Sequence, residues 1–135
     1  RFQQAVARNP QNDKALCGLG LALWAKGERE RALDAYGKAL DANFENMPAL
    51  MNLVQTAYGL NKLNVAKQRL KKYLHPANLD VQFIFAGVLY RMGEYESARH
   101  AVETVLTFDP KRTDAIELMA KIVAATEKGA DEEHR

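Results

Sequence analysis

Apolar positions recur along the chain at i, i+3, i+4 and i+7, the stripe of an amphipathic helix. They do so in paired segments. Leu16, Leu19, Gly20 and Leu23 form one face, and Ala32, Tyr36, Ala39 and Leu40 form a second after a break at Lys26-Gly27-Glu28. The pair recurs as Leu50, Leu53, Val54 and Ala57 with Ala66, Leu70, Tyr73 and Leu74. It recurs again as Phe85, Ala86 and Leu89 with Ala98, Val102, Val105 and Leu106. The pairs keep one period. Phe2, Tyr36, Leu70 and Val102 follow at intervals of 34, 34 and 32 residues, and Ala5, Ala39, Tyr73 and Val105 repeat those steps. Leu19, Leu53, Phe85 and Met119 step by 34, 32 and 34, and Ala32, Ala66 and Ala98 by 34 and 32. Four tracks sharing one period, and one two-residue shortening near His75-Pro76, predict helix-turn-helix units of about 34 residues. Neither helix of a unit can bury its stripe alone, so neighbouring units must stack.

The residues that break helices fit this partition. Gly27 and Gly93 fall in the turn within a unit, where positive φ closes a helix, and Asn61 holds the equivalent place in the middle unit. Pro10, Pro76 and Pro110 fall between units, where a missing N–H costs nothing. Asn12-Asp13, Asn46 and Thr113-Asp114 offer capping side chains at the start of first helices.

These features resemble the tetratricopeptide repeat, whose pattern is W-x2-L-G-x2-Y, then A-x3-F, then P. Leu16, Leu19, Gly20 and Leu23, then Ala32 and Tyr36, follow it. The third unit follows it with Gln82, Phe85, Ala86 and Leu89, then Ala98 and Val102, with Pro110 closing. The chain departs where Gln82 replaces a large apolar residue, where Phe44 replaces the closing proline, and where the middle unit is short. The resemblance implies an all-α, right-handed solenoid of stacked antiparallel helix pairs, with three full repeats and an extra helix at each end. The expected partition is a second helix of a preceding unit over 1–9 and repeats over 13–44, 46–76 and 79–110. A terminal helix over 112–126 and a polar, fraying tail over 127–135 complete it.

Composition narrows the chemistry. With 135 residues, 47% hydrophobic and 27% charged, the chain has the balance of one soluble globular domain. No uncharged apolar stretch approaches the roughly 18 residues of a membrane-spanning helix, and no signal-peptide pattern opens the chain. A start at Arg1 rather than methionine fits a piece of a longer protein. A soluble chain is expected, with the cytoplasm favoured over the periplasm. Nineteen basic and seventeen acidic residues give +2, too near balance to argue for nucleic acid or direct membrane insertion. No enzymatic activity and no cofactor is expected. There is no phosphate-binding glycine loop, Ser97 is the sole serine, and Cys17 lies in a different unit from His75, His100 and His134. Those histidines show no metal-ligand spacing. The basic run of Lys62, Lys67, Arg69, Lys71 and Lys72 has no interleaved exposed aromatics, which favours a solvated face over a nucleic-acid patch.

In stacked helix pairs the first helices line the inner, concave wall. The stripe that faces it reads Lys14, Cys17, Gly18, Leu21 and Trp24, then Met51, Asn52, Gln55 and Tyr58. It continues with Phe83, Ile84, Gly87, Tyr90 and Arg91, and then Glu117, Leu118 and Lys121. Trp24, Tyr58, Phe83 and Tyr90 are the residue types that anchor interfaces, and Asn52 and Gln55 can hydrogen-bond a peptide backbone. Gly18 and Gly87 each weaken a helix by about 1 kcal/mol relative to alanine. Either a close-approaching ligand or tight helix packing would account for them. Some family members clamp a chaperone's C-terminal carboxylate with Lys, Asn and Arg on this wall. Here Cys17, Leu21, Asp80 and Ile84 take four of those places and Asn52 alone matches.

The expected function is therefore that of a scaffold or adaptor, binding an apolar, aromatic or helical peptide within a larger assembly, secretion or chaperone machine. Two alternatives are an accessory repeat domain of a longer enzyme and a self-associating module. The latter would stack Phe2, Ala5 and Val6 of one chain against Ile116, Met119 and Val123 of another.

Overall fold

A computed structural model describes residues 12–74 and 78–133, with side chains as far as Lys128. Among them are seven helices and no strand. They are α1 (Asp13–Ala25), α2 (Arg29–Ala42), α3 (Met47–Gly59), α4 (Leu63–Tyr73), α5 (Leu79–Arg91), α6 (Tyr95–Phe108) and α7 (Thr113–Glu133). The expected helix over 1–9, and the turn residues Pro10, His75 and Pro76, lie outside the described residues. The chain divides into two compact units, one ending at Ala66 and the other beginning at Lys67.

In the first unit α1 packs on α2, and α2 on α3. The apolar stripes explain the pairing. Leu16 and Leu23 of α1, and Ala32, Tyr36, Ala39 and Leu40 of α2, are all buried. Gly20 lets the helices approach. A Cβ there would stand 2.5 Å from Cε1 of Tyr36, so the buried tyrosine ring lies against bare backbone. In the second unit α5 packs on α6, α6 on α7, and α5 also meets α7. Its core is Phe85, Ala86, Leu89, Ala98, Val102 and Val105, closed by Ala115, Leu118 and Ile122 of α7.

Each intra-unit turn ends its helix with the same pair of backbone bonds. The N–H groups of Gly27 and Glu28 donate to the carbonyls of Trp24 and Leu23; those of Asn61 and Lys62 donate to Tyr58 and Ala57; those of Gly93 and Glu94 donate to Tyr90 and Leu89. The residue at the bend has φ of 86° at Gly27, 57° at Asn61 and 81° at Gly93. Nothing lies within 4 Å of where a Gly27 Cβ would stand, so a side chain there meets no neighbour. Gly27→Ala should therefore cost about 1–2 kcal/mol from backbone conformation alone, whereas Asn61→Gly should be neutral or stabilising. Urea midpoints of the two variants check this, and a Gly27→Ala midpoint equal to that of the parent would refute it.

First helices start on asparagine caps. Ala15 N–H donates to Asn12 Oδ1 at 3.1 Å, Ala49 N–H to Asn46 Oδ1 at 3.0 Å, and Val81 N–H to Asn78 Oδ1 at 3.2 Å. Asn78 was not anticipated from the sequence. The last helix also differs from expectation, because α7 runs to Glu133 where a fraying tail was expected from residue 127. No helix among the described residues is long and apolar enough to cross a membrane.

Candidate functional site

On the first unit the face of interest is built by α1 and α3. Residues three and four apart share a helix face, so Lys14, Cys17, Leu21 and Trp24 form a row on α1. Met51, Asn52, Gln55 and Tyr58 form a row on α3. The two rows meet where the Cys17 thiol and the Asn52 side chain hydrogen-bond. Burial pushes the Cys17 thiol above its ordinary pKa, Asn52 pulls it down and the Asp13 carboxylate pushes it up again. Cys17 is only 7% exposed, so it forms the floor of this face and offers a ligand little surface. That is a correction to its expected place among the ligand-facing side chains.

Around that floor the face is open and apolar. Leu21 is 51% exposed, Trp24 47%, Met51 43% and Tyr58 58%. Lys14 and Gln55 are also exposed and Asn52 is half-buried. A groove of about 480 Å³ opens beside the N-terminal half of α1, over Cys17 and Gly18, with Leu21 and Lys14 on one side and Met47 and Pro48 on the other. The Trp24 ring carries the Arg29 guanidinium 5.1 Å from its centroid, a cation–π contact that steadies the indole while leaving it accessible.

The second unit presents a more covered face. Phe83, Ile84 and Tyr90 are half-buried and Arg91 is exposed. The Arg112 guanidinium lies 5.0 Å over the Phe83 ring, and the Tyr90 ring meets Tyr95 at 5.8 Å. Gly87 has nothing within 4 Å of where its Cβ would stand, so packing within the chain does not account for it. Leu118 was expected to face a ligand and is instead buried against the core, while Glu117 and Lys121 beside it are exposed. The reason is helical phase: Leu118 shares its face with Ala115 and Ile122, which α7 buries.

Arg112 was not singled out from the sequence. Its Nη2 lies 3.0 Å from Asp80 and its Nε donates to Asp114 at 2.8 Å. These contacts raise the guanidinium pKa further, and the bond to Arg112 holds the Asp114 carboxyl below the usual carboxylate range. Asn46, 66 residues earlier, makes the same kind of stitch by donating from Nδ2 to Asp13 Oδ2 at 2.7 Å. In both units a residue capping one first helix reaches back to a carboxylate opening the previous one. A search for polar partners one repeat apart would have found both. No group of three or more His, Cys, Asp or Glu suited to a metal ion occurs among the described residues.

A tetratricopeptide repeat model matches residues 1–48. The Protein CTR9 homolog of Arabidopsis thaliana is 29% identical over 102 residues, which is 73% of this chain and 9% of that protein. The BBSome complex member BBS4 of Bos taurus is 28% identical over 114 residues, 83% of this chain and 22% of that protein. The chain thus spans less than a quarter of either relative. Among solved structures, the first repeat domain of human RPAP3 superposes with a TM-score of 0.68 at 22% identity, covering 91% of this chain and 98% of that one. The first repeat domain of Spaghetti (RPAP3), bound to the HSP90 peptide SRMEEVD, gives 0.65 at 23%, covering 87% and 94%. MamA gives 0.58 at 19%, covering 96% and 87%. The period, the helix pairs with their bends, and these likenesses agree: the chain is a tetratricopeptide-repeat protein, an α-solenoid of stacked helix pairs.

Proposed function

We propose that this chain is a protein–protein interaction module whose α1–α3 face takes an apolar, aromatic or helical peptide segment. The observation that carries this reading is the exposure of Leu21, Trp24, Met51 and Tyr58 on one face while the opposite faces of the same helices are buried. Exposed apolar side chains gathered in this way mark binding surfaces more often than chance exposure does. In the second unit Phe83, Ile84, Tyr90 and Arg91 would extend the contact, and the open space at Gly87 suits a ligand backbone. The partition into three repeats belongs to the same proposal. An adaptor role in a larger assembly fits the relatives, one of them a BBSome complex member and one a structure holding an HSP90 peptide. The ligand differs in kind from that acidic peptide, since Cys17 and Leu21 replace two of the polar groups that would clamp a carboxylate.

Peptides selected from a random library on the immobilised protein provide the test. Trp24→Ala with Tyr58→Ala should weaken their binding at least tenfold, because each anchor at a hot spot contributes on the order of 2 kcal/mol. Helix content by circular dichroism should not change. Undiminished affinity in that double variant would move the binding surface elsewhere.

A further inference from the structure

Two grooves occupy equivalent places in the two units. In the first unit a groove of about 430 Å³ runs over Leu16, Leu19 and Leu23 of α1 and Ala35 of α2. In the second, one of about 340 Å³ runs over Gln82, Phe85 and Leu89 of α5 and Ala101 of α6. Each of these residues stands 66 positions from its counterpart, so the backbone framework is shared and the side chains alone distinguish the grooves. Their charges differ. Around the first groove Glu30 and Asp34 balance Arg31 and Lys38, and Lys38 is tied to Asp34 at 3.2 Å. In the second, His100 stands where Asp34 did, and Ser97 and Thr104 replace Arg31 and Lys38. Lys67 and Lys71 of α4 form the remaining wall. No acidic side chain lines it, and α4 itself carries none from Leu63 to Tyr73.

Lys67 is held in place. Its Nζ donates to both carboxylate oxygens of Glu94, at 2.8 and 2.9 Å, with its side chain only 19% exposed. That fixes the α4 wall against the turn before α6 and leaves Lys71, which is exposed, as the cation at the rim. His100 on the opposite wall is largely exposed and lies 3.9 Å from Glu103. The rim therefore offers an ammonium, an imidazole, the hydroxyls of Ser97 and Thr104 and the amide of Gln82 over an apolar floor.

We propose that this second-unit groove is a separate docking surface for an acidic peptide segment, its carboxylates set on Lys71 and the rim donors. Charge complementarity argues for that occupant. The cations number two or three on one wall rather than forming a basic track, and no exposed aromatic flanks them to stack a base, so a protein segment fits better than nucleic acid. The surface uses α4 and α6, apart from the α1–α3 face, and does not depend on that face's function.

Fluorescence anisotropy of a labelled peptide of alternating Glu and Leu tests the proposal, with a Lys–Leu peptide and a twelve-nucleotide single-stranded DNA as competing probes. The Glu–Leu peptide should bind at low salt and weaken steeply as salt rises. Lys71→Glu should reduce its affinity at least tenfold and favour the Lys–Leu peptide instead. Lys38→Glu in the equivalent groove, and the Trp24→Ala, Tyr58→Ala pair, should leave it unchanged. Circular dichroism on each variant keeps loss of fold separate from loss of contact. The proposal is overturned if the acidic peptide fails to bind at millimolar concentration, if Lys38→Glu matches Lys71→Glu in effect, or if the DNA binds more tightly than the peptide.

Discussion

Ala32→Leu will lower the thermal midpoint of this protein by about 4–12 °C. Ala32, Ala66 and Ala98 are all 0% exposed, one in the second helix of each pair, where that helix crosses the first. A leucine at this crossing adds three carbons to a site with no room for them. The side chain must leave its preferred rotamer or push the helices apart, at about 1–3 kcal/mol. For a chain of this size each kcal/mol moves the midpoint by about 4 °C. Ala124→Leu, on an exposed position of α7, supplies the comparison and should change little. Equal midpoints for the two variants would mean that the helix register of α2 is not the one described.

The second large effect concerns Cys17. In the native protein its reaction with iodoacetamide at neutral pH should run at least about a hundredfold slower than in denaturant. Two causes act together. The thiolate is the reactive species, and burial raises the thiol pKa, so the charged form is scarce. The side chain is also covered where α1 meets α3, so labelling waits for local opening, and each 1.4 kcal/mol of opening cost slows it about tenfold. The sign of the pH dependence follows. Folding favours the protonated thiol, so its contribution is complete at neutral pH and is lost as pH rises through the ordinary thiol range. Stability should therefore fall on the alkaline side, and Cys17→Ala should remove that part of the fall. Rapid native labelling would show that the floor of the α1–α3 groove is open and would undercut the proposed site.

Particular residues show why some of this was legible in advance. The alanine track was found from spacing alone, because a helix crossing tolerates only a small residue and a period of 34 or 32 brings it back to the same crossing. The positive φ of Gly27, Asn61 and Gly93 was equally accessible, since few residues close a helix in that conformation. Asn78 was missed because the two-residue shortening lies just before it and shifts the cap away from its expected phase. The extent of α7 was misjudged for a different reason. Residues 127–133 look like a tail because they lack an apolar stripe, yet Glu, Lys and Ala sustain a helix without one.

The candidate site was less legible. Which face of each first helix looks away from the core follows from period and phase, and Leu21, Trp24, Met51 and Tyr58 are exposed as that phase requires. How far each ring is covered does not follow, because the covering groups sit on other elements. Arg112 comes to rest over Phe83, and Tyr95 against Tyr90, through a turn and a helix distant in sequence. Periodicity reports the side of a helix a residue occupies, a property of the local backbone. Fractional burial, the raised pKa of Cys17 and the choice of partner for Arg112 depend on what the packed chain brings within a few ångströms. For this protein the repeat, the helix pairs, their bends and the buried alanines were written in local spacing. Tertiary packing decided that Cys17 is a floor, that Phe83 is capped and that one of two equivalent grooves is cationic.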